Sequence, residues 1–473
     1  MKFTKLSLIA AIAVSSAFAG GDIAPAPVVV EETSPWTVGG DFKLYYDTTT
    51  TNLPSDDRSL FDQASATGQG AASVDVSYAF ADTWKVNFGA TGLFTLGLDD
   101  SVVSGVWLYA GADATNGALA NVPGAAPYTS IGDALWIDTF NVTGTMFDGK
   151  ATVVLGRQTL DTPLAFSETW NIAPNTFDAA VALVKPIDAL TLVAGYIYDG
   201  NGNGGRISTF DSNPGGFTGD DGYIPAFADK GAWTVAAIGT VAGVTAQAWY
   251  YDVLDIAQAA WIQGDTEISG FTLGAQYAWM TPDDALGSVA NLIEDSSAFA
   301  GKIGYKMDAF NVWAAYSAVD DVAAGHTALP VANTATIMNG AGAGGFGWGS
   351  KANSGQSKLY TEAWWNYGLV GQSGADTFAA AASYNVGDLS IFNGIELMAQ
   401  YTSVSDANPF LDFAGNTIDM NEFTALVGAK AYGLDVQLAY IYSDYTSTDA
   451  NGANIANGTF TADTIQAYLT YTF

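Results

Sequence analysis

From Ala462 to Phe473 apolar and polar side chains alternate. Ile465, Ala467, Leu469, Tyr471 and Phe473 share one face, and Thr464, Gln466, Tyr468, Thr470 and Thr472 share the other. A period of two predicts a β-strand. In water such a strand would expose both a greasy face and an unpaired backbone edge. A closed barrel in lipid removes both problems, because every backbone group finds a neighbouring strand and the apolar face meets acyl chains.

The same pattern recurs along the chain. Trp36, Val38, Phe42, Leu44 and Tyr46 oppose Asp41, Lys43 and Asp47. A hairpin follows, with Val74, Val76, Tyr78 and Phe80 continuing across a turn at Ala81-Asp82-Thr83 into Trp84, Val86, Phe88 and Ala90. Further short turns are expected near 147–150, 185–189, 241–243, 269–270, 307–309, 385–394 and 431–433. Long Gly, Asn and Asp-rich connections alternate with them. This predicts an all-β fold: a transmembrane, antiparallel, up-and-down β-barrel of about 18 strands, with short periplasmic turns and long extracellular loops. The weakest segments are 131–146 and 259–268; in the first, Asp138 shares a face with Trp136, Phe140 and Val142, a costly placement in lipid. The connection 320–375 is long enough to fold over the mouth and carries Trp348, Trp364 and Trp365.

The chain divides into three parts. Residues 1–19 read as a signal peptide: Lys2 and Lys5, an apolar run over 6–14, and the small-x-small site Ala17-Phe18-Ala19. Residues 20–35 form a short N-terminal periplasmic segment, and 36–473 the barrel. After the leader no apolar run reaches the about 18 residues of a spanning helix, so membrane residence must come from strands.

Composition agrees. Charged residues make up only 13% of the chain against 13% aromatics, too few charges for an ordinary soluble surface of this size. The net charge of −33 sets nucleic-acid binding aside and favours cations near the protein. There is no cysteine, so closure does not depend on disulfides. The single histidine, His326, lies in a Gly and Ala-rich loop and reads as a solvated residue. No enzyme motif surrounds it, and no catalytic residue is assigned.

The run Gly156-Arg157-Gln158-Thr159-Leu160-Asp161-Thr162-Pro163-Leu164-Ala165-Phe166, followed by Glu168-Thr169-Trp170-Asn171 and Pro174-Asn175-Thr176-Phe177-Asp178-Ala179, resembles a loop of Campylobacter-type major outer-membrane porins, an OprD-like group. The leader and the aromatic C-terminus fit the same group. The resemblance implies a trimeric, water-filled barrel of eighteen strands in the Gram-negative outer membrane, with an inward loop that narrows the pore.

Within 157–176, Leu160, Leu164, Phe166, Trp170 and Ile172 can anchor an inward loop against the wall. Arg157, Asp161, Glu168 and Asp178 are then the candidate constriction charges, although Arg157 could instead pair with Asp161 or Asp178 merely to hold the loop. Strand parity nominates ten further lumen-facing groups: Asp41, Lys43, Asp75, Lys85, Lys302, Lys306, Glu396, Glu422, Lys430 and Asp435. Each would be expensive on the lipid face. Asp199, Asn201 and Asn203 match the first half of a calcium loop, but the twelfth position is Phe210 rather than Glu, so calcium is at most an optional ligand and no cofactor is required. Paired loop carboxylates could bridge to lipopolysaccharide through divalent ions.

The expectation is an outer-membrane porin passing small hydrophilic solutes and ions, with a cation preference and a homotrimeric state. The alternatives are a substrate-specific channel, or a surface adhesin or structural outer-membrane protein.

Overall fold

The computed structural model describes residues 34–53, 58–62, 65–99, 134–170, 172–201, 230–284, 292–333, 355–409 and 414–473. The expected signal peptide, most of the segment 20–35, Trp348 and Asn203 lie outside the described residues.

The first seven strands are β1 (Trp36–Thr51), β2 (Ala66–Ala81), β3 (Trp84–Asp99), β4 (Ala134–Met146), β5 (Ala151–Gln158), β6 (Thr176–Ile187) and β7 (Leu190–Asn201). Next come β8 (Ala232–Val241), β9 (Val244–Val253), β10 (Ala257–Ile268), β11 (Phe271–Pro282), β12 (Ile293–Glu294), β13 (Ser296–Met307) and β14 (Phe310–Val319). The last are β15 (Thr327–Ala328), β16 (Asp376–Leu389), β17 (Phe392–Ala407), β18 (Thr417–Ala431), β19 (Leu434–Thr448) and β20 (Asn454–Thr472). Eighteen of these form one antiparallel sheet, and β1 pairs with both β2 and β20, so the sheet closes. The two-residue β12 and β15 pair in parallel with each other and join two long loops.

The terminal strand closes the barrel, with Leu44 opposite Leu469 and Asp41 opposite Thr472. Phe473 extends the ladder: its N–H donates to the Gly40 carbonyl (3.1 Å) and its own carbonyl accepts from the Gly40 N–H (3.2 Å). At the short-turn end, Ala242-Gly243, Ser269-Gly270 and Tyr432-Gly433 each place two successive residues at positive φ. Such turns match the right-handed twist of the strands they join. The turn expected over 385–394 is narrower: β16 runs on through two register irregularities to Leu389, and the chain reverses at Ser390-Ile391.

Both weak segments are barrel strands, β4 and β10. The Asp138 difficulty is resolved by a bulge. Gly89 pairs with Thr139 and Ala90 with Ile137, so Asp138 is skipped. Its carboxylate turns inward, where Oδ2 accepts from the Thr91 hydroxyl at 2.5 Å. Gly89 makes room for it: a Cβ there would sit 2.5 Å from Asp138 Oδ1 and 2.6 Å from Asp75 Oδ1.

The outward face is apolar, carrying Trp36, Val38, Phe88, Leu135, Ile303, Leu397 and Phe423, all exposed. Carboxylates that face outward toward the long-loop end are capped by cross-strand phenols: Tyr316 donates to Asp376 Oδ1 (2.6 Å) and Tyr440 to Asp463 Oδ1 (2.5 Å). The inward face is mixed. Over β8 to β20 it carries Trp249, Trp261, Met280, Ala300, Ala379, Val404 and Met420, which pack on Leu329, Val331, Leu359, Ala363, Leu369 and Val370 from the connection between β14 and β16.

Candidate functional site in the barrel lumen

Among the described residues, two connections enter the lumen. In the first, between β5 and β6, Leu160, Leu164, Phe166 and Ile172 are buried, and Trp170 packs on Tyr367 with ring centroids 5.4 Å apart. Thr162 stiffens its tip: the hydroxyl donates to the Ala165 carbonyl (2.7 Å) and accepts from the Ala165 N–H (3.2 Å). The Ser167 N–H donates back to the Leu160 carbonyl (2.8 Å). A Thr-x-x-Ala turn with apolar flanks therefore makes a compact hairpin rather than a solvated loop.

The second connection is the long one between β14 and β16. Its stretch 355–375 lies against the inner wall and is held by side chains of seven strands, Asp265 on β10 among them, which accepts from the Tyr360 hydroxyl (2.5 Å). Gln276 on β11 bonds both sides of one peptide run, donating to the Lys358 carbonyl (2.9 Å) and accepting from the Tyr360 N–H (3.0 Å). Thr361 and Ser317 on β14 share a hydroxyl hydrogen bond of 2.5 Å. Gln400 on β17 donates to the Glu362 carbonyl (2.8 Å). Trp364 Nε1 donates to Gln466 on β20 (3.2 Å), and Asn366 Nδ2 to Ser443 on β19 (2.9 Å).

Glu422 on β18 holds the centre. Its carboxylate accepts from the backbone N–H groups of Trp364 (2.8 Å), Trp365 (3.1 Å) and Asn366 (2.8 Å), and from Asn366 Nδ2 (2.7 Å). It is 1% exposed. Three successive amides aimed at one carboxylate form an anion-binding nest, here occupied by the wall itself. Asn333 ties the two connections together: its Oδ1 accepts from the Phe166 N–H (3.1 Å), while its Nδ2 donates to the Phe166 carbonyl (2.8 Å) and to Glu168 Oε1 (3.2 Å).

The expected constriction charges separate into two pairs of places. Asp161 and Glu168 belong to the first inward connection. Asp161 pairs with Lys358, whose ammonium also lies 4.7 Å from the centre of the Phe166 ring. Glu168 is buried and also accepts from the Gln356 N–H (3.3 Å), so it ties the connections together rather than facing open water. Arg157 and Asp178 sit elsewhere. β5 extends to Gln158 and β6 begins at Thr176, so both residues are in the ladder, where Arg157 lies opposite Phe140 and Asp178. Phe140 faces outward, whereas Gln158 and Phe177, one position on, are buried. The guanidinium grips Asp178 with two bonds of 2.8 Å on the outer wall, beside Ile137, Phe140, Tyr196 and Tyr198. This corrects the expectation for Arg157 and Asp178: they hold a strand pair from outside and do not line the lumen.

The ten parity-nominated residues share the parity of the inward face, and all but Lys85, Lys430 and Asp435 have an exposed apolar neighbour. They are not equivalent. Asp41 and Lys43 pair at 3.5 Å, Lys430 and Asp435 at 2.6 Å, and Lys306 lies 3.9 Å from Glu267. Lys302 lies over the rings of Trp313 (5.0 Å) and Tyr360 (5.5 Å). Asp75 faces the lumen beside Asp138, and Lys85 and Glu396 lie nearer the short turns. Glu422 is covered. Of the weak calcium motif, Asp199 lies opposite Asp178 at the end of β7. His326, expected to be solvated, is half-buried, with Nδ1 2.6 Å from Glu294 Oε1.

No family model matches the chain, and no curated protein matches it either. Its fold is shared with solved outer-membrane proteins. OccK8 (OprE) of Pseudomonas aeruginosa superposes with a TM-score of 0.60 at 12% identity, over 93% of this chain and 98% of that one. The outer membrane protein OpdK of the same organism gives 0.57 at 13% identity, over 92% and 99%. OccAB4 of Acinetobacter baumannii gives 0.59 at 14%, over 92% and 98%. This likeness is one of fold. It agrees with the eighteen-strand barrel that the resemblance read from residues 156–179 implies and gives the Campylobacter-type part no support.

The residues that organise the lumen most were the least visible in the sequence. Gln276, Gln400, Gln466, Asn333, Asn366 and Glu362 carry the inward connections, and only a neutral amide at inward parity on strand after strand marks the wall members. An amide that donates and accepts is suited to peptide groups, so a polar wall without charge marks where the chain folds back on itself.

Proposed function

We propose that this chain is an outer-membrane porin, a passive channel for small hydrophilic solutes and ions, with a preference for cations. The observation that carries the reading is a closed barrel with an apolar outer belt and a polar interior, crossed by two inward connections. The fold shared with the outer membrane protein OpdK supports it. The cation preference rests on the carboxylates of the inward face, Asp41, Asp75 and Asp138 together, against Lys43 as their local counter-charge. The kinship with Campylobacter-type porins and the homotrimer rest on the resemblance carried by 156–179 and by the two chain ends, and the lipopolysaccharide contact on the paired loop carboxylates.

Planar-bilayer recording under a salt gradient tests the reading. Stepwise current with a reversal potential of the cation-selective sign is expected, and three equal steps would report the trimer. A reversal potential of the opposite sign would overturn the preference.

A second reading, a substrate-specific channel, has its own observation. Lys302 and Lys358 sit with Trp313, Tyr360 and Phe166 at the edge of the inward connections, which suits a flat anionic solute. OpdK has been solved with vanillate. Saturable block of the current by an aromatic carboxylate, with none by a neutral solute of equal size, would favour that reading.

A further inference from the structure

Three glutamates from three elements converge under the stretch 355–375: Glu168 from the first inward connection, Glu362 from the stretch itself and Glu422 from β18. They are not held alike. Glu422 has three backbone amides, the Asn366 amide and the Thr424 hydroxyl (3.2 Å). Glu168 has the Asn333 amide and the Gln356 N–H. Glu362, half-buried, has one partner residue among the described residues, Ser357, through its hydroxyl and its N–H (3.3 Å). Hydrogen bonds to a carboxylate favour its ionised form, so Glu422, with donors from four residues, is the best held of the three, and Glu362, with donors from one, the least.

We propose that Glu362 positions the constriction through its proton: protonated, it lets 355–375 seat against the wall, and ionised, it loosens that stretch and widens the lumen. The proposal rests on the channel reading given above. The groups facing Glu362 are Glu168, Glu422 and, on its own stretch, the phenol of Tyr367, which in turn has Tyr468 of β20 as a neighbour. All are acidic or neutral. Lys358, the nearby cation of the same stretch, is engaged by Asp161 and the Phe166 ring. Burial pushes the Glu362 carboxyl well above the ordinary glutamate range; the Ser357 hydrogen bonds oppose this, and Glu168 and Glu422 add to it.

The sign follows from linkage. The seated state binds a proton that the released state, with an ordinary glutamate near about 4.3, gives up. Seating is therefore strongest below that value and weakens as pH rises from it toward the raised value of the seated group. Each unit of separation between the two is a tenfold change in the seating equilibrium.

Exclusion of neutral polyethylene glycols from the folded full-length channel reads the lumen without reporting charge. Wild type is expected to admit a larger polymer at pH 8 than at pH 5, and Glu362→Gln, which mimics the protonated form, to exclude it equally at both. A size limit independent of pH in wild type, or a pH shift that survives in Glu362→Gln, would overturn the proposal. Hydrogen exchange of 355–375 in detergent does not depend on conduction. There the protection, corrected for intrinsic rates, should fall by about tenfold or more between pH 5 and pH 8 in wild type and stay level in the variant. Equal protection at both pH values in wild type would sink the seat, while a barrel that never conducts but still shows the loss would sink only the channel reading.

Discussion

The inner wall has two unlike regions. Over β1 to β4 it presents Asp41, Lys43, Asp75, Ser77, Asn87 and Asp138, arranged as ion pairs and polar ladders: Ser77 donates to Asn87 Oδ1 (2.7 Å), and Asn87 Nδ2 donates to Asn141 Oδ1 (2.7 Å). Over β10 to β20, apart from Asp265, Lys302 and the charged groups nearer the short turns, it presents amides, hydroxyls, small apolar residues and the covered Glu422, and these bind the chain's own backbone. Both regions follow the same alternation, and both are polar enough to face water. The difference is in chemical type. Charges with nearby counter-charges suit a wet surface, where exposed pairs cost little to maintain. Neutral donor-acceptor groups suit a dry contact with peptide groups, which must all be satisfied once buried. Among the described residues the inner wall is thus divided into a side that binds the inward connections and a charged side that does not.

The largest expected effect comes from breaking the dry side at its centre. Glu422→Ala leaves the N–H groups of Trp364, Trp365 and Asn366 buried without an acceptor, at about 1–3 kcal/mol each. Single-channel conductance should rise with frequent fluctuation, and the urea midpoint should fall. Unchanged conductance would mean that the seat does not set the cross-section.

A smaller effect is expected on the wet side. Asp75→Asn removes a charge from the group formed with Asp138 and Asp41, with no peptide contact to lose. The cation-to-anion permeability ratio should drop by roughly twofold at low salt, where screening is weakest. Stability should shift by less than about 1 kcal/mol. An unchanged reversal potential would contradict the assignment of the wet side as the ion path.

The smallest effect on the current is predicted outside the wall. Arg157→Gln breaks the double grip on Asp178, so the barrel should unfold more readily, yet the permeability ratio should stay the same. A changed ratio would return Arg157 to the pore.

Alternation made the barrel legible, because in a spanning strand the cost of charge in lipid forces one parity outward. It also placed Asp41, Lys43, Asp75 and Glu422 on one common face. It could not distinguish Asp75, which is open to the lumen, from Glu422, which is covered by chain distant in sequence. Arg157 and Asp178 were misread because the ladder extends a residue or two further at each end of that loop than periodicity suggests, and one residue of strand reverses the side. Asp138 looked like a lipid-facing acid for the opposite reason: a bulge inserts a residue that a strict period of two does not contain. The amide-bearing wall was readable in principle, as glutamines at inward parity, but an uncharged polar residue carries no penalty that would single it out.

The central claim is that the wet side conducts while the dry side is filled. Planar-bilayer recording of the wild-type protein, with folding checked by heat-dependent gel mobility, tests it most directly. Discrete, long-lived current steps are predicted, and no current from a folded barrel at any voltage or pH would contradict the claim.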